Sequence, residues 1–303
     1  MKQFLSSLGK KLFGGINLTW PKLIIAAIAA GAFTALMANI PALKYTSFHA
    51  IVVTFEMWVL FGIIIIMNSK SNLDSAFKCF VFFLISQPLV YLLQVPFSWQ
   101  GWGLFGYYKT WFIWTLLCFP MGFIGYFMKK GKWWGYLILL PMILLTADSY
   151  SLYFSDFLFY APKYILIWLF CGCVIIFYPV LIFENKRIKL VGAVIGIGIV
   201  AVLTVLGLLN PPIYSTTLMV GGGENKFNED YMVYLADERY GTAEMRYESG
   251  IEDYLIHCDF KRAGKTVLTI EAPDGSRTDY EITIERDTYD LKKCRGDGSF
   301  VTR

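Results

Sequence analysis

The 303-residue chain is 56% hydrophobic and 17% aromatic, and its mean hydropathy is +0.51. That composition excludes an ordinary soluble domain and indicates a membrane protein. Charge divides the chain in two, because residues 1–210 hold five acids against fifteen lysines and arginines, whereas residues 211–303 hold eighteen acids against twelve.

The N-terminal stretch, residues 1–21, is predicted to be a cytoplasmic amphipathic segment. Phe4, Leu5, Leu8 and Leu12 fall on one helical face, with lysines elsewhere, as in a helix lying on a membrane surface. A frayed basic tail fits the same residues, and the sequence leaves both interpretations open.

Residues 22–209 are predicted to form a seven-helix transmembrane domain. Each hydrophobic stretch is long enough, or nearly so, to cross a bilayer, which takes about 20 residues. The predicted spans are 22–40, 49–67, 79–96, 110–128, 133–150, 163–184 and 190–209.

Orientation follows from the positive-inside bias. With the N-terminus in the cytoplasm, the inner side carries twelve lysines and arginines, whereas the short outer loops carry only Lys44, Lys109 and Lys163. Seven spans then place the C-terminal region outside. Lysine-rich inner loops favour a bacterial cytoplasmic membrane as the location.

Two predicted outer loops, 98–111 and 149–164, are dense in Trp, Tyr and Phe. Aromatic belts at the membrane–water interface have this composition, and we interpret the loops in this way. A platform for carbohydrate or lipid is the alternative.

The C-terminal region begins with a predicted linker, 210–228, that contains Gly221–Gly223, and continues as a predicted extracytoplasmic domain over 229–303. Alternation of apolar and polar residues predicts strands at 231–236, 242–247, 253–260, 265–272 and 278–289. Pro273, Asp274 and Gly275 predict a hairpin turn between the last two.

The stretch "GKTVLTIEAPDGSRTDYEITI" resembles the last two strands of bacterial immunoglobulin-like domains. The resemblance covers about thirty residues and implies an all-β immunoglobulin-like sandwich after the membrane α-helical bundle. Domains of that kind usually bind, space or stabilise, so the resemblance implies no catalytic activity.

Cys258 and Cys294 are the only cysteines of the predicted outer domain. An oxidising compartment would permit a disulfide between them, although two independent thiols fit the sequence equally well. No pattern of histidines or acids accompanies any cysteine, and we predict neither a metal site nor a cofactor.

Glu56 lies inside a predicted span, where an ionisable side chain is expensive and by default a functional candidate. With the predicted orientation, most polar residues of the spans fall in the outer half of the membrane. This predicts an outward-facing polar cleft formed by Glu56, His49, Gln87, Tyr91, Gln94 and Asp148. Equally, Glu56 could be hydrogen-bonded between helices and act as structural glue.

Three functions remain open on the sequence alone. A binding, sensing or adaptor protein that presents its outer domain to a protein or glycan ligand ranks first. A transporter or channel for a small solute or ion, using the cleft around Glu56, is the alternative. An enzyme acting on a lipid-linked substrate ranks last, because no catalytic motif is recognised. Membrane lipids are expected partners, and nucleic acid is not.

Overall fold

The computed structural model describes residues 7, 9–44, 46–53, 55–218, 227–249, 252–294 and 300–301. The chain divides into two compact units. The first comprises Met1–Tyr153 and Lys163–Leu206, and the second comprises Phe154–Pro162 and Gly207–Arg303. The second unit therefore takes twelve residues, Phe154–Pro162 and Gly207–Leu209, from the part of the chain that the sequence assigned to the membrane domain.

The first unit is helical. Its helices, of which the ends of α6 and α8 belong to the second unit, are α1 (Trp20–Asn39), α2 (Ser47–Val53), α3 (Phe55–Met67), α4 (Asn72–Gln94), α5 (Phe105–Gly125), α6 (Trp134–Tyr160), α7 (Ile165–Ile182) and α8 (Lys186–Leu209).

Six of these helices are long and apolar enough to cross a membrane, namely α1, α4, α5, α6, α7 and α8. Helices α2 and α3 meet at a bend of 45° and add a seventh span if the pair counts as one. Within the part of the chain that the structure describes, the candidate spans therefore number six or seven, where the sequence predicted seven. Helix α6 continues to Tyr160, ten residues past the predicted end, because no proline or glycine interrupts the aromatic run before Pro162.

Close helix contacts in the first unit are made by small residues, as is common between membrane helices. Between α4 and α5, the Ser75 hydroxyl donates to the Gly122 carbonyl at 2.8 Å. Between α7 and α8, a Cβ added at Gly196 would lie 2.8 Å from the Ile175 carbonyl oxygen. These positions admit no larger side chain without movement of a backbone.

Asn68, just after α3, holds the segment that precedes α1. Its side-chain oxygen accepts hydrogen bonds from the backbone amides of Gly14 and Ile16, and its amide donates to the Leu12 carbonyl. Phe13 is buried in the hydrophobic cluster of the unit. Residues 9–12 are helical, whereas residues 1–6 and 8 of the predicted amphipathic segment lie outside the described residues.

Two antiparallel sheets form most of the second unit. The strands are β1 (Tyr214–Leu218), β2 (Met232–Leu235), β3 (Gly241–Glu248), β4 (Asp253–Phe260), β5 (Gly264–Glu271), β6 (Arg277–Ile284), β7 (Tyr289–Cys294) and β8 (Phe300–Val301). The strand orders are β1-β4-β3 and β2-β5-β6-β7-β8. The stretch predicted as a linker contains strand β1. All five residues of β1 pair with β4, so this part of the stretch belongs to a sheet. Residues 219–226, with Gly221–Gly223, lie outside the described residues.

The predicted hairpin between β5 and β6 is confirmed, with Leu268 opposite Tyr280 in the register. Gly275 takes the left-handed conformation at φ +81°, which glycine adopts without strain, and the Asp274 carboxylate accepts from the Ser276 amide at 2.8 Å. Both sheets contribute to one hydrophobic cluster, for example through Phe260 and Leu268. The C-terminal region is thus an antiparallel β structure, and its immunoglobulin-like character stays a prediction.

Candidate functional site

Glu56 lies in the first turn of α3, directly after the bend that separates α2 from α3. Glu56 is only 2% exposed, and it lies near Cys171 and Tyr178 of α7. The acid that the sequence singled out is therefore buried inside the helical unit, close to a helix more than 100 residues later in the chain.

A cavity of about 50 Å³ lies among α3, α4, α5 and α6. Its walls are largely apolar, with Trp58, Trp111 and Trp114 among them. A water molecule needs at least ~10–15 Å³ of such volume. Gln87 supplies the amide of the lining. It is 3% exposed, and its Nε2 finds no hydrogen-bond partner among the described residues. The cavity can therefore hold a few waters or a small apolar group with one hydrogen-bond acceptor.

The remaining predicted cleft residues lie elsewhere. The Tyr91 ring contacts Tyr108, with ring centroids 5.9 Å apart, and the Gln94 amide donates to the carbonyl of Val90 in its own helix. His49 is half-buried in α2, whereas Asp148 is exposed on α6.

Neither this cavity nor a second, more open groove beside Asp148 is lined by more than one of the six predicted cleft residues. The cavity contains Gln87 and the groove contains Asp148. Glu56 lines neither. The outward-facing polar cleft stays a prediction, and the described structure distributes its residues over separate sites.

The end of α6 is built into the β structure of the second unit. Phe159 is 1% exposed and belongs to the same hydrophobic cluster as the strands. The Phe159 carbonyl accepts from the Ala263 amide at 2.9 Å, and the Tyr160 hydroxyl accepts from the Arg286 amide at 2.6 Å. Asp156 forms an ion pair with the Arg286 guanidinium. We call these five residues the α6 anchor.

The ion pair of the α6 anchor is partly shielded from water. The side chains of Asp156 and Arg286 are 13% and 33% exposed. Removing one partner of such a pair leaves the other charge poorly compensated, which is more destabilising than the loss of an exposed pair. The anchor thus combines apolar burial with a charge pair that fixes which turn of the helix meets the strands.

Sequence reasoning missed this anchor, because it interpreted residues 149–164 as an aromatic belt. One signal was present. Asp156, Phe159 and Tyr160 follow the spacing i, i+3 and i+4, which places them on one helical face. A lone acid on the same face as two rings is unusual for a lipid-facing surface, where charged side chains are costly.

The two cysteines of the second unit are free thiols in the structure. Cys258 is fully buried in β4, within the three-stranded sheet, and Cys294 ends β7 of the five-stranded sheet. Burial, with a contribution from the neighbouring Asp259, raises the pKa of Cys258 to about 12. Within the described ranges, no group of three or more histidines, cysteines and acids lies close enough together to hold a metal ion.

Comparisons with protein-family models, with curated proteins and with solved structures find no match for this chain. What the protein does is therefore inferred from its own residues. The α6 anchor is the feature that carries this inference.

Proposed function

We propose that the protein is an integral membrane protein that senses or binds a ligand outside the cell through its β unit and communicates the binding to its membrane helices through α6. In this proposal the N-terminus lies in the cytoplasm and the β unit lies outside the cytoplasmic membrane of a bacterium. The distribution of lysines and arginines along the chain supports this orientation.

The observation that carries the proposal is the α6 anchor. Helix α6 is continuous from Trp134 to Tyr160, yet its residues up to Tyr153 belong to the first unit and those from Phe154 belong to the second. A domain attached only by a flexible linker would leave the helix ends free of its core. Here Phe159 is a core residue of the β structure.

Thermodynamic linkage follows from that shared core. The last turns of α6 and the strands around Phe159 stabilise each other, so a ligand that favours one state of the β unit also shifts the state of the helix end. The shift is bounded by the difference in affinity of the ligand for the two states. In this proposal, binding outside is sensed at α6 itself.

The ligand class is proposed from the β structure. An immunoglobulin-like arrangement of the two sheets would make a protein or a glycan the expected ligand, since such domains usually act by binding. The two antiparallel sheets and the hydrophobic cluster to which both contribute support this arrangement.

The test is to weaken the α6 anchor from the β side and to measure the helix. Arg286→Ala removes the partner of Asp156, and hydrogen bonds to charged groups contribute roughly 1.5–3 kcal/mol. We expect roughly ten- to hundredfold faster amide hydrogen exchange in residues 154–160, measured by mass spectrometry on the full-length protein in lipid nanodiscs.

Arg239→Ala is the matched control, because Arg239 also pairs with an acid of the same unit, Asp237, but is 80% exposed. This variant should leave exchange in α6 unchanged. Equal exchange at the end of α6 in the Arg286 variant and the native protein would contradict coupling through the anchor.

The orientation has its own test. With the native cysteines replaced by alanine, single cysteines are placed at Asp230, exposed in the β unit, and at Lys132, exposed between α5 and α6. A membrane-impermeant thiol reagent should label position 230 in intact cells and position 132 only after the membrane is opened. The reverse pattern would place the β unit in the cytoplasm.

A further inference from the structure

Three lysines gather around one carboxylate where α3 ends, α4 begins and α5 ends. The Lys78 ammonium donates to the Asp74 carboxylate at 2.7 Å, and the same carboxylate oxygen accepts from the Lys70 amide at 2.8 Å. Lys129, just after α5, lies near both Asp74 and Lys78. We call Lys70, Asp74, Lys78 and Lys129 the basic cluster.

Tyr126 keeps two of these lysines next to each other. Its hydroxyl donates to the Lys70 carbonyl at 2.8 Å, and the Lys129 ammonium lies 5.0 Å from the centroid of its ring. The same ammonium donates to the Ser69 carbonyl at 2.7 Å. These contacts join the turn between α3 and α4 to the end of α5, so the basic cluster is a built arrangement rather than a run of separate lysines.

The charges of the basic cluster do not balance. Lys78 is only 2% exposed and takes the one carboxylate of the cluster, which compensates its buried charge. Lys70 and Lys129 are exposed, and neither forms an ion pair with any described residue. Three ammonium groups against one carboxylate give a net charge of +2, and the two uncompensated charges are those of the exposed side chains.

The uncompensated charges lie at the boundary of the candidate membrane spans. Lys129 is the last residue of the span Gly101–Lys129, and Lys70 lies two residues before the span Asn72–Phe97. In the orientation proposed above, this boundary faces the cytoplasm. The ammonium groups of Lys70 and Lys129 are then at the level of the head groups of the inner leaflet.

Apolar surface adjoins the basic cluster on α4. Leu73 and Phe77 lie one turn apart on the same face of the helix, directly before Asp74 and Lys78 in the chain, and each is about half exposed. The Phe77 ring packs edge-on against Phe119 of α5, with ring centroids 5.2 Å apart. A phospholipid with its head group at the cluster therefore has apolar side chains nearby for its acyl chains.

We propose that the basic cluster binds a phospholipid with an anionic head group, whose phosphate lies between the ammonium groups of Lys70 and Lys129. Phosphate oxygens accept charge-assisted hydrogen bonds from ammonium groups, and basic pockets at the cytoplasmic ends of membrane helices bind anionic head groups. A zwitterionic head group brings its own cation, which the two lysines repel, so charge complementarity selects the anionic lipid. The proposed orientation enters only in assigning this lipid to the inner leaflet, and the site is separate from the β unit.

The experiment measures lipid affinity by native mass spectrometry of the purified full-length protein in detergent. The two probes are phospholipids with the same oleoyl chains and either a glycerol head group, which is anionic, or a choline head group, which is zwitterionic. We expect the glycerol lipid to bind about tenfold more tightly, because a lysine near an anionic head group contributes about fivefold in affinity and the choline cation cancels part of that gain.

Lys70→Gln combined with Lys129→Gln removes both uncompensated charges and should bring the two lipids to within about twofold of each other. Lys186→Gln combined with Arg187→Gln is the matched control. These two residues are exposed cations at the start of α8, outside the basic cluster, and their replacement changes the net charge by the same amount. The control should leave the preference unchanged. Lys70→Arg combined with Lys129→Arg keeps both charges and should retain the preference, and helical circular dichroism should stay native in all three variants.

Free glycerol phosphate in large excess distinguishes a lipid from a soluble phosphate compound. It supplies the phosphate without acyl chains and should not displace the glycerol lipid, whereas displacement would identify a soluble occupant and overturn the lipid proposal.

Three other results would also overturn it. Equal affinity of the native protein for the two lipids would remove the role of charge. An equal loss of preference in the Lys186 and Arg187 control would show that any cations of this membrane side suffice. Loss of the preference in the natively folded arginine variant would show that charge at positions 70 and 129 does not select the lipid. None of these outcomes bears on the coupling test for the β unit.

Discussion

Replacing Phe159 with alanine tests whether the end of α6 belongs to the core of the β unit. The native side chain is 1% exposed and packs in the cluster shared by both sheets. Truncating a buried phenylalanine to alanine typically costs about 3–5 kcal/mol, through lost apolar burial and the cavity left behind. At this site the strands cannot collapse onto the space without moving the helix end, so we expect the upper part of that range.

A loss of this size changes the equilibrium between the closed and the locally opened β unit by a factor of roughly 10³ to 10⁴. The amide of Ala263, which donates to the Phe159 carbonyl, and the amides of β4 and β5 should exchange faster by a corresponding factor. Hydrogen exchange of the full-length protein in nanodiscs, followed by mass spectrometry, measures this directly.

Leu152→Ala is the control on the same helix. Leu152 is 50% exposed and belongs to the first unit, so exchange in the strands should stay native in this variant. If Phe159→Ala left β4 and β5 as protected as in the native protein, Phe159 would not be part of their core, and the coupling proposed through α6 would lose its basis.

Two further predictions concern packing and thiol chemistry. Gly196→Ala should lower the melting temperature of the purified protein, because the new Cβ would lie 2.8 Å from a backbone oxygen of α7 and overpacking typically costs about 1–3 kcal/mol. Gly198→Ala is the control: its Cβ would have no heavy atom within 4 Å, so this variant should raise the melting temperature slightly through better helix propensity. A drop of equal size in both variants would refute the close contact at Gly196. Cys258, with its pKa raised to about 12 by burial, should be about 10⁻⁴ thiolate at pH 8 and resist alkylation in the folded protein while Cys294 reacts first. Only the unfolded chain loses this proton above the ordinary thiol pKa of about 8.5. The contribution of Cys258 to the free energy of unfolding is therefore complete below that pH and declines as the pH rises towards 12. Rapid alkylation of Cys258 in the native protein at pH 8 would contradict its burial.

Local patterns were sufficient for much of the architecture. Hydrophobic run length indicated where the apolar helices lie, because crossing a bilayer demands about 20 apolar residues regardless of neighbours. The β5–β6 hairpin was equally predictable, since Pro273, Asp274 and Gly275 supply turn chemistry that needs no tertiary contact. Strand β1 was missed, because its five residues are too short a pattern and its pairing with β4 is non-local.

For the candidate sites, too, some features follow from the sequence and others only from the tertiary structure. The sequence alone determined that Glu56 and Asp148 are acids in apolar surroundings, because an ionisable residue in such a run stands out without any neighbours. Only the tertiary structure decided that Glu56 is buried near Cys171 and Tyr178, and that Asp148 is exposed at the end of a groove. It also decided that Phe159 is a core residue of the β unit, since an aromatic side chain suits a membrane interface and a protein core equally well, and only the packing of distant segments distinguishes the two.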